Sequence, residues 1–241
     1  LTKVLSATHF GLETIPIEVE VNVFSKGFPG FSVIGLAGKS VEEAKERVKT
    51  ALSNSGVDIP NKKIIVNLAP ADIPKEGSAY DLPIAIGMLR SMEALQMPAE
   101  KSYFYGELSL DGTLRHTKGV LLLALSAKKQ KVKNLFVPAP SANEAAVVKG
   151  INVYPGDTLT QCSTHLDGGE VIPTHKLKST TCEDDFVLAD FDFSEIIGQD
   201  QAKRALTIAS AGGHNVHLQG PPGACKTMLA RAMAGILPPL T

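Results

Sequence analysis

The residues best suited to chemistry stand near the end of the chain, in the run Gly220-Pro221-Pro222-Gly223-Ala224-Cys225-Lys226-Thr227. Its spacing matches the phosphate-binding pattern G-x-x-x-x-G-K-[ST] at the first glycine, the lysine and the threonine. Residues 215–219 before it read as a strand, and a helix is expected from Lys226. In that setting backbone N–H groups surround phosphate oxygens, and the positive end of the helix dipole favours negative charge. Lys226 is expected to reach the β and γ phosphates of ATP, and the Thr227 hydroxyl to ligate Mg²⁺. Cys225 departs from the pattern, because it stands where glycine is expected. Glycine permits close backbone approach and backbone angles that are costly for other residues. The Cys225 Cβ is therefore expected to crowd the phosphate or strain the loop, and so to weaken binding. A helix N-terminus beside a lysine also favours a thiolate there. The bland alternative, a chance Gly/Pro turn ahead of a helix, leaves the Lys-Thr placement unexplained.

Other candidates are weaker. Lys128, Lys129, Lys131 and Lys133 form a basic run able to meet DNA phosphates, although a solvated helix end with snorkelling lysines explains it too. Asp72, Glu76 and Asp81 cluster in sequence; a helix-capping role for Asp81 and solvation for the others account for them. Met88, Met92 and Met97 read as core and loop residues. His214 and His217 have no third ligand nearby. Cys162, Cys182 and Cys225 are odd in number and form no CxxC, which argues against a disulfide framework or a zinc site and for a reducing cytoplasm.

The elements that must position these groups follow from periodicity. The chain has 241 residues, 44% hydrophobic and 20% charged, which fits one or two globular domains and excludes disorder, collagen and coiled coil. A net charge of −1 argues against a strongly basic nucleic-acid domain but leaves room for a local patch. No apolar run approaches the ~20 residues of a membrane span, and no secretory signal is visible. The chain begins at Leu1 and reads as trimmed. Strands are expected over 17–23, 31–34, 63–68, 135–137 and 151–154. Ser40 with Glu43, and Ser141 with Glu144, read as capping boxes of helices. Asp81 is expected to cap a helix through Leu89. Asp111-Gly112 reads as a hairpin turn between 103–110 and 113–116, and 119–129 as a helix. Residues 1–166 thus read as one mixed α/β (α+β) domain, 167–190 as a linker, and 191–241 as the start of a second domain with a helix over 199–211.

Phe193-Ser194-Glu195-Ile196-Ile197-Gly198-Gln199, together with the GPPG loop, resembles the start of an AAA+ ATPase module. By that resemblance Ile197 and Gly198 lie near the adenine. The longer run through Gly212-Gly213-His214-Asn215 to Gly235-Ile236-Leu237-Pro238-Pro239-Leu240 resembles the magnesium-chelatase-like AAA+ branch, and within it the ComM (YifB) family. Gly11-Leu12-Glu13, Gly27-Phe28-Pro29-Gly30-Phe31, Val33-Ile34-Gly35-Leu36, Asn67-Leu68-Ala69-Pro70-Ala71-Asp72 and Lys75-Glu76-Gly77 look like that family's blocks. The resemblance covers all but the linker.

It implies a domain folded like the Lon proteolytic domain, followed by a P-loop AAA+ αβα domain. It also implies a hexameric, ATP- and Mg²⁺-dependent motor acting on DNA, with branch migration in recombination or natural transformation as its role and no membrane partner. Walker B, sensor and arginine-finger residues cannot lie in the 14 residues after Thr227, so the chain reads as a fragment that alone hydrolyses ATP poorly. Lon-type proteases use a Ser–Lys pair. Aligning Pro74-Lys75-Glu76-Gly77-Ser78-Ala79 on Gly77 puts the nucleophile position at Ala79, with Ser78 one place before it. The lysine position falls near Leu121, with Lys118 three residues away. Proteolysis is therefore not expected, and no catalytic residue is assigned. The competing reading is a non-enzymatic scaffold or DNA-docking module.

Overall fold

Alternating apolar and polar residues over 17–23 bury Ile17, Val19 and Val21 on one face of a long strand, as period-two spacing requires. The computed structural model of the chain describes residues 1–11, 13–24, 28–95, 101–177 and 192–237. The chain divides into two compact units, Leu1–Lys178 and Ser179–Thr241. Leu12, Gly27, Met97, Cys182, Pro238, Pro239, Leu240 and residues 178–190 of the expected linker lie outside the described residues.

The first unit is a mixed α/β fold. Its elements run β1 (Thr2–Phe10), β2 (Glu13–Phe24), β3 (Gly30–Ile34), α1 (Lys39–Asn54), β4 (Lys63–Ala69), α2 (Asp81–Ser91), β5 (Ser102–Phe104), β6 (Glu107–Leu108), β7 (Leu114–Arg115), α3 (Val120–Lys129), β8 (Asn134–Pro138), α4 (Ala142–Ala146), β9 (Asn152–Gly156) and α5 (Leu159–Leu166). Seven strands form one sheet in the order β3-β4-β2-β1-β5-β8-β9. β1–β2 and β2–β4 are antiparallel, and the other four junctions are parallel. Successive residues of a strand face opposite ways; one face of the sheet is covered along its length, the other at β1, β5, β8 and β9. Val4, Val19, Val66, Phe104 and Phe136 pack with α1, α2 and α5. Ala7, Tyr103, Leu135 and Val137 pack with α3 and α4. Every residue of α2 from Asp81 to Leu89 is buried, as expected of a helix apolar nearly all round.

Several expectations need correction. β1 and α5 carry no clear sequence signal but are both present. The hairpin at Asp111-Gly112 shrinks to β6–β7, because Ser102–Phe104 pairs with β8 in the main sheet. Neither capping box forms. Gly38 precedes α1, while the Ser40 hydroxyl donates to Gly77 O and accepts from Gly77 N–H. The Ser141 hydroxyl instead meets the backbone of Thr117 and the ring of His116. Asp81 is the first residue of α2 rather than its cap, and it is fully buried. Within residues 167–177, most of which are exposed, Ile172 joins the core and His175 bridges to Val153.

In the second unit, α6 (Asp200–Gly212) and α7 (Lys226–Met233) pack together through Leu206, Leu229 and Ala232. Residues 215–219 form no strand. A strand needs a partner to satisfy its backbone groups, and the described residues of this unit offer none.

Candidate functional site

The glycine-rich loop leads straight into α7, which its buried Leu229 and Ala232 hold against Ile196 and Leu206. Cys225 and Met228 are partly buried against the same cluster, so the loop's exit is anchored by the small core beneath it. Gly223 has φ +82° and Cys225 has φ +54°, ψ +18°. The left-handed conformation that the pattern's glycine supplies is thus present, but a cysteine adopts it. Such a conformation costs a non-glycine residue about 1–2 kcal/mol. The thiol sits 3.8 Å from Gly223 O. Lys226 Nζ turns back into the loop and donates to Gly220 O at 2.9 Å and Pro221 O at 2.7 Å. An ammonium bound only to loop carbonyls can move to a phosphate at little cost, since both partners are exposed. Thr227 is exposed in the first turn of α7.

The segment expected near adenine lies against the same core. Asp192 and Glu195 close a capping box around the turn Phe193–Glu195. The hydrogen bond from Ser194 holds the Asp192 carboxyl below its ordinary range. Ile196 is buried in the cluster that contains Leu229, and its carbonyl accepts from Lys203 Nζ. Ile197 is left 97% exposed and Gly198 has φ +72°. The structure therefore joins Ile196 and the α7 helix through one cluster, with Ile197 and Gly198 projecting beside it. Gly220, Pro221, Pro222 and Gly223 are all exposed, and Ala224 is half-buried. Among the described residues no group of three or more His, Cys, Asp or Glu could hold a metal. Mg²⁺ typically takes one or two protein ligands plus nucleotide phosphates, and the exposed Thr227 hydroxyl could serve as one such ligand.

The positions that the Lon resemblance assigns to a Ser–Lys pair lie in the first unit. Ala79 is buried in the core with Tyr105 and Val120. The Ser78 hydroxyl donates to the Glu107 carboxylate. Leu121 packs against the same core, and Lys118 is exposed, with only its carbonyl engaged, by Tyr105 OH. Two polar features escaped the sequence reading. Arg47 pairs with the buried Asp81. Lys75 is wholly out of solvent, its ammonium donating to Gly35 O at 2.9 Å and to Pro70 O. Desolvation lowers its pKa. Only the Asp72-to-Asp81 charge cluster hinted at either.

Residues 19–141 match the family described as subunit ChlI of Mg-chelatase, and residues 192–241 match magnesium chelatase, subunit ChlI. The chain is 42% identical over 243 residues to the competence protein ComM of Haemophilus influenzae, covering 100% of this chain and 47% of that protein. It is 42% identical over 242 residues to the YifB protein of Escherichia coli (98% and 47%) and 41% over 233 residues to that of Salmonella typhimurium (96% and 45%). It spans about half the length of the curated relatives it matches.

Proposed function

Since the chain belongs to the ComM/YifB family of magnesium-chelatase-like proteins, we propose that it is the N-terminal part of an AAA+ ATPase whose whole protein is a hexameric DNA motor, with branch migration in recombination or natural transformation as its role. The observation that carries this is the loop Gly220–Thr227 at the N-terminus of α7, sharing a core with the Ile196–Gly198 segment. Backbone N–H groups of residues 220–226 would hold the phosphates, with Lys226 opposite the β and γ oxygens and Thr227 on Mg²⁺. Ile197 offers an exposed apolar surface for the base. Mg²⁺–ATP would supply the cleavable phosphoanhydride. On this reading the first unit is a Lon-like domain that has lost its Ser–Lys pair and serves as a scaffold. The chain's boundaries of use are residues 1–166, the connection 167–190, and the ATPase start 191–241, in a cytoplasmic protein.

Cys225 supports one alternative, a wholly non-enzymatic scaffold, because its Cβ stands where backbone must approach phosphate. Titration of a fluorescent ATP analogue in Mg²⁺ separates the two. Binding that weakens on Lys226→Ala supports the ATPase reading. No binding by the parent chain, and none by its Cys225→Gly variant, would favour the scaffold.

A further inference from the structure

Six lysines converge on one end of the first unit's sheet. β5, β8 and β9 are parallel, with Ser102 opposite Asn134 and Asn134 opposite Asn152. Their starting ends therefore lie side by side, neighbouring strands about 4.8 Å apart. Lys101 immediately precedes β5, and Lys133 immediately precedes β8, its carbonyl accepting from Asn152 N–H at 2.8 Å. Lys149 comes three residues before β9. α3 ends at the same place with Lys128 and Lys129. Bonds from Lys131 N–H to Lys128 O and from Val132 N–H to Ala127 O then turn the chain directly into β8. All six side chains are exposed, and none takes part in an ion pair among the described residues.

Lysines at a helix C-terminus are favoured by the dipole alone. That accounts for Lys128 and Lys129 but not for Lys101, Lys133 and Lys149, which arrive on separate segments. Among the described residues no acid pairs with them. Glu144 accepts from Leu121 N–H at the opposite end of α3. Asp167 and Glu170 follow α5, which packs on the other face of the sheet. On the neighbouring strand β1, Lys3 is paired with Glu18 and Glu20, which ends the uncompensated region.

We propose that this lysine edge docks the phosphate backbone of a nucleic acid without reading its sequence. An ammonium is a compact point charge suited to single phosphate oxygens, and the segments that carry the six lysines hold no arginine for bidentate contact with a base. A bilayer surface would also draw on aromatic anchors, yet no exposed aromatic lies on β5, β8, β9, α3 or α4 among the described residues. The proposal deepens the DNA part of the functional reading and is independent of the nucleotide loop.

The test is fluorescence anisotropy of a short labelled duplex with the 241-residue chain, between about 50 and 200 mM salt. The variant is Lys131→Gln/Lys133→Gln/Lys149→Gln. Its control, with equal charge loss on α1 and β4, is Lys39→Gln/Lys49→Gln/Lys63→Gln. The edge variant should bind at least about tenfold more weakly at the low-salt end, with a log–log salt slope shallower by about 2–3, given ~0.9 per phosphate contact. The control should stay within about twofold of the parent. Equal losses in both variants would show a diffuse charge effect and overturn the assignment. So would a parent chain that ignores the duplex, or one that binds phosphatidylserine vesicles through these lysines and not DNA. ATP-analogue binding by the same samples reports on the nucleotide loop separately, so the failure of one reading is not the failure of the other.

Discussion

Arg47 of α1 pairs with both carboxylate oxygens of Asp81 at the start of α2, with Nε 2.8 Å from Oδ2 and Nη2 3.0 Å from Oδ1. Asp81 is entirely out of solvent, and its Oδ2 also accepts from Leu108 N–H at 3.2 Å. One carboxylate thereby ties α1, α2 and the β6 strand together. Removing Arg47 leaves a buried charge unpaired, which typically costs 3–5 kcal/mol. Arg47→Leu is therefore expected to lower the urea midpoint of the first unit sharply, by about 3 kcal/mol in stability. The double variant Arg47→Leu/Asp81→Leu should recover part of that loss. A double variant no more stable than the single one would show that Asp81 is held by Leu108 alone.

The same carboxyl predicts a pH effect. Burial raises Asp81 from its ordinary 3.8 to about 6, against the opposing pull of Arg47. A carboxyl with a raised pKa binds its proton more tightly folded than unfolded, so its contribution is complete below about pH 4 and is lost as the pH rises through about 6. Thermal melts of the parent relative to Asp81→Asn should fall over that window and be flat above it. A relative stability that rises over the same window would show Asp81 to be held ionised by Arg47.

Lys75 and Gly35 form a second staple. Lys75 Nζ reaches Gly35 O and Pro70 O, while the Lys75 N–H bonds Leu36 O and its carbonyl accepts from Gly38 N–H. Gly35 has φ +103°, and a Cβ there would stand 2.3 Å from Leu68 O. Gly35→Ala is expected to cost at least the 1–3 kcal/mol of backbone strain and to release protection of the 35–38 amides in hydrogen exchange. Lys75→Met, which fills the same space without donors, should destabilise less and leave Gly35 in place.

No peptidase activity is expected. The Ser78 hydroxyl is committed to Glu107, and by the Lon resemblance the lysine position falls near Leu121, which packs on the core. A Ser–Lys pair needs the amine within hydrogen-bond reach of the nucleophile, and among the described residues the Ser78 hydroxyl meets Glu107 rather than the Lys118 ammonium. Incubation with unfolded casein, with or without ATP, should give no cleavage. Cleavage that Ser78→Ala abolishes would prove the opposite.

The legible parts of this fold were those with local causes. Period-two burial in β2 and β4, the apolar α2, and the Gly-x-x-x-x-x-Lys-Thr spacing are all visible in short windows. β1 was invisible because its buried residues fall on both faces of a two-sided sheet: Val4 packs one way and Ala7 the other. The caps failed for a non-local reason, since Ser40 and Ser141 find better partners in Gly77 and Thr117, far along the chain. Asp81 looked like a capping carboxylate because its true partner, Arg47, lies 34 residues away. The lysine edge was half legible as the 128–133 run, while Lys101 and Lys149 join it only through strand register.

Cys225 supplies the sharpest prediction about the nucleotide loop. It holds φ +54°, where glycine loses nothing and cysteine loses about 1–2 kcal/mol. Its Cβ also stands on the loop's backbone, which must come within hydrogen-bond distance of phosphate. Cys225→Gly removes both penalties, though it also removes a side chain packed against Leu229 and Ile196. Relief of strain in the bound and free loop cancels if the loop keeps its shape, so any gain in affinity reports phosphate crowding rather than strain. An affinity gain of about tenfold, equivalent to ~1.4 kcal/mol, is expected for an ATP analogue in Mg²⁺, with little change for a nucleoside lacking phosphates. Lys226→Ala should weaken binding in both backgrounds, because it removes a charge-assisted contact of ~1.5–3 kcal/mol. Equal affinities of parent and Cys225→Gly would mean that the thiol, already turned toward Gly223 O, points away from the phosphate path.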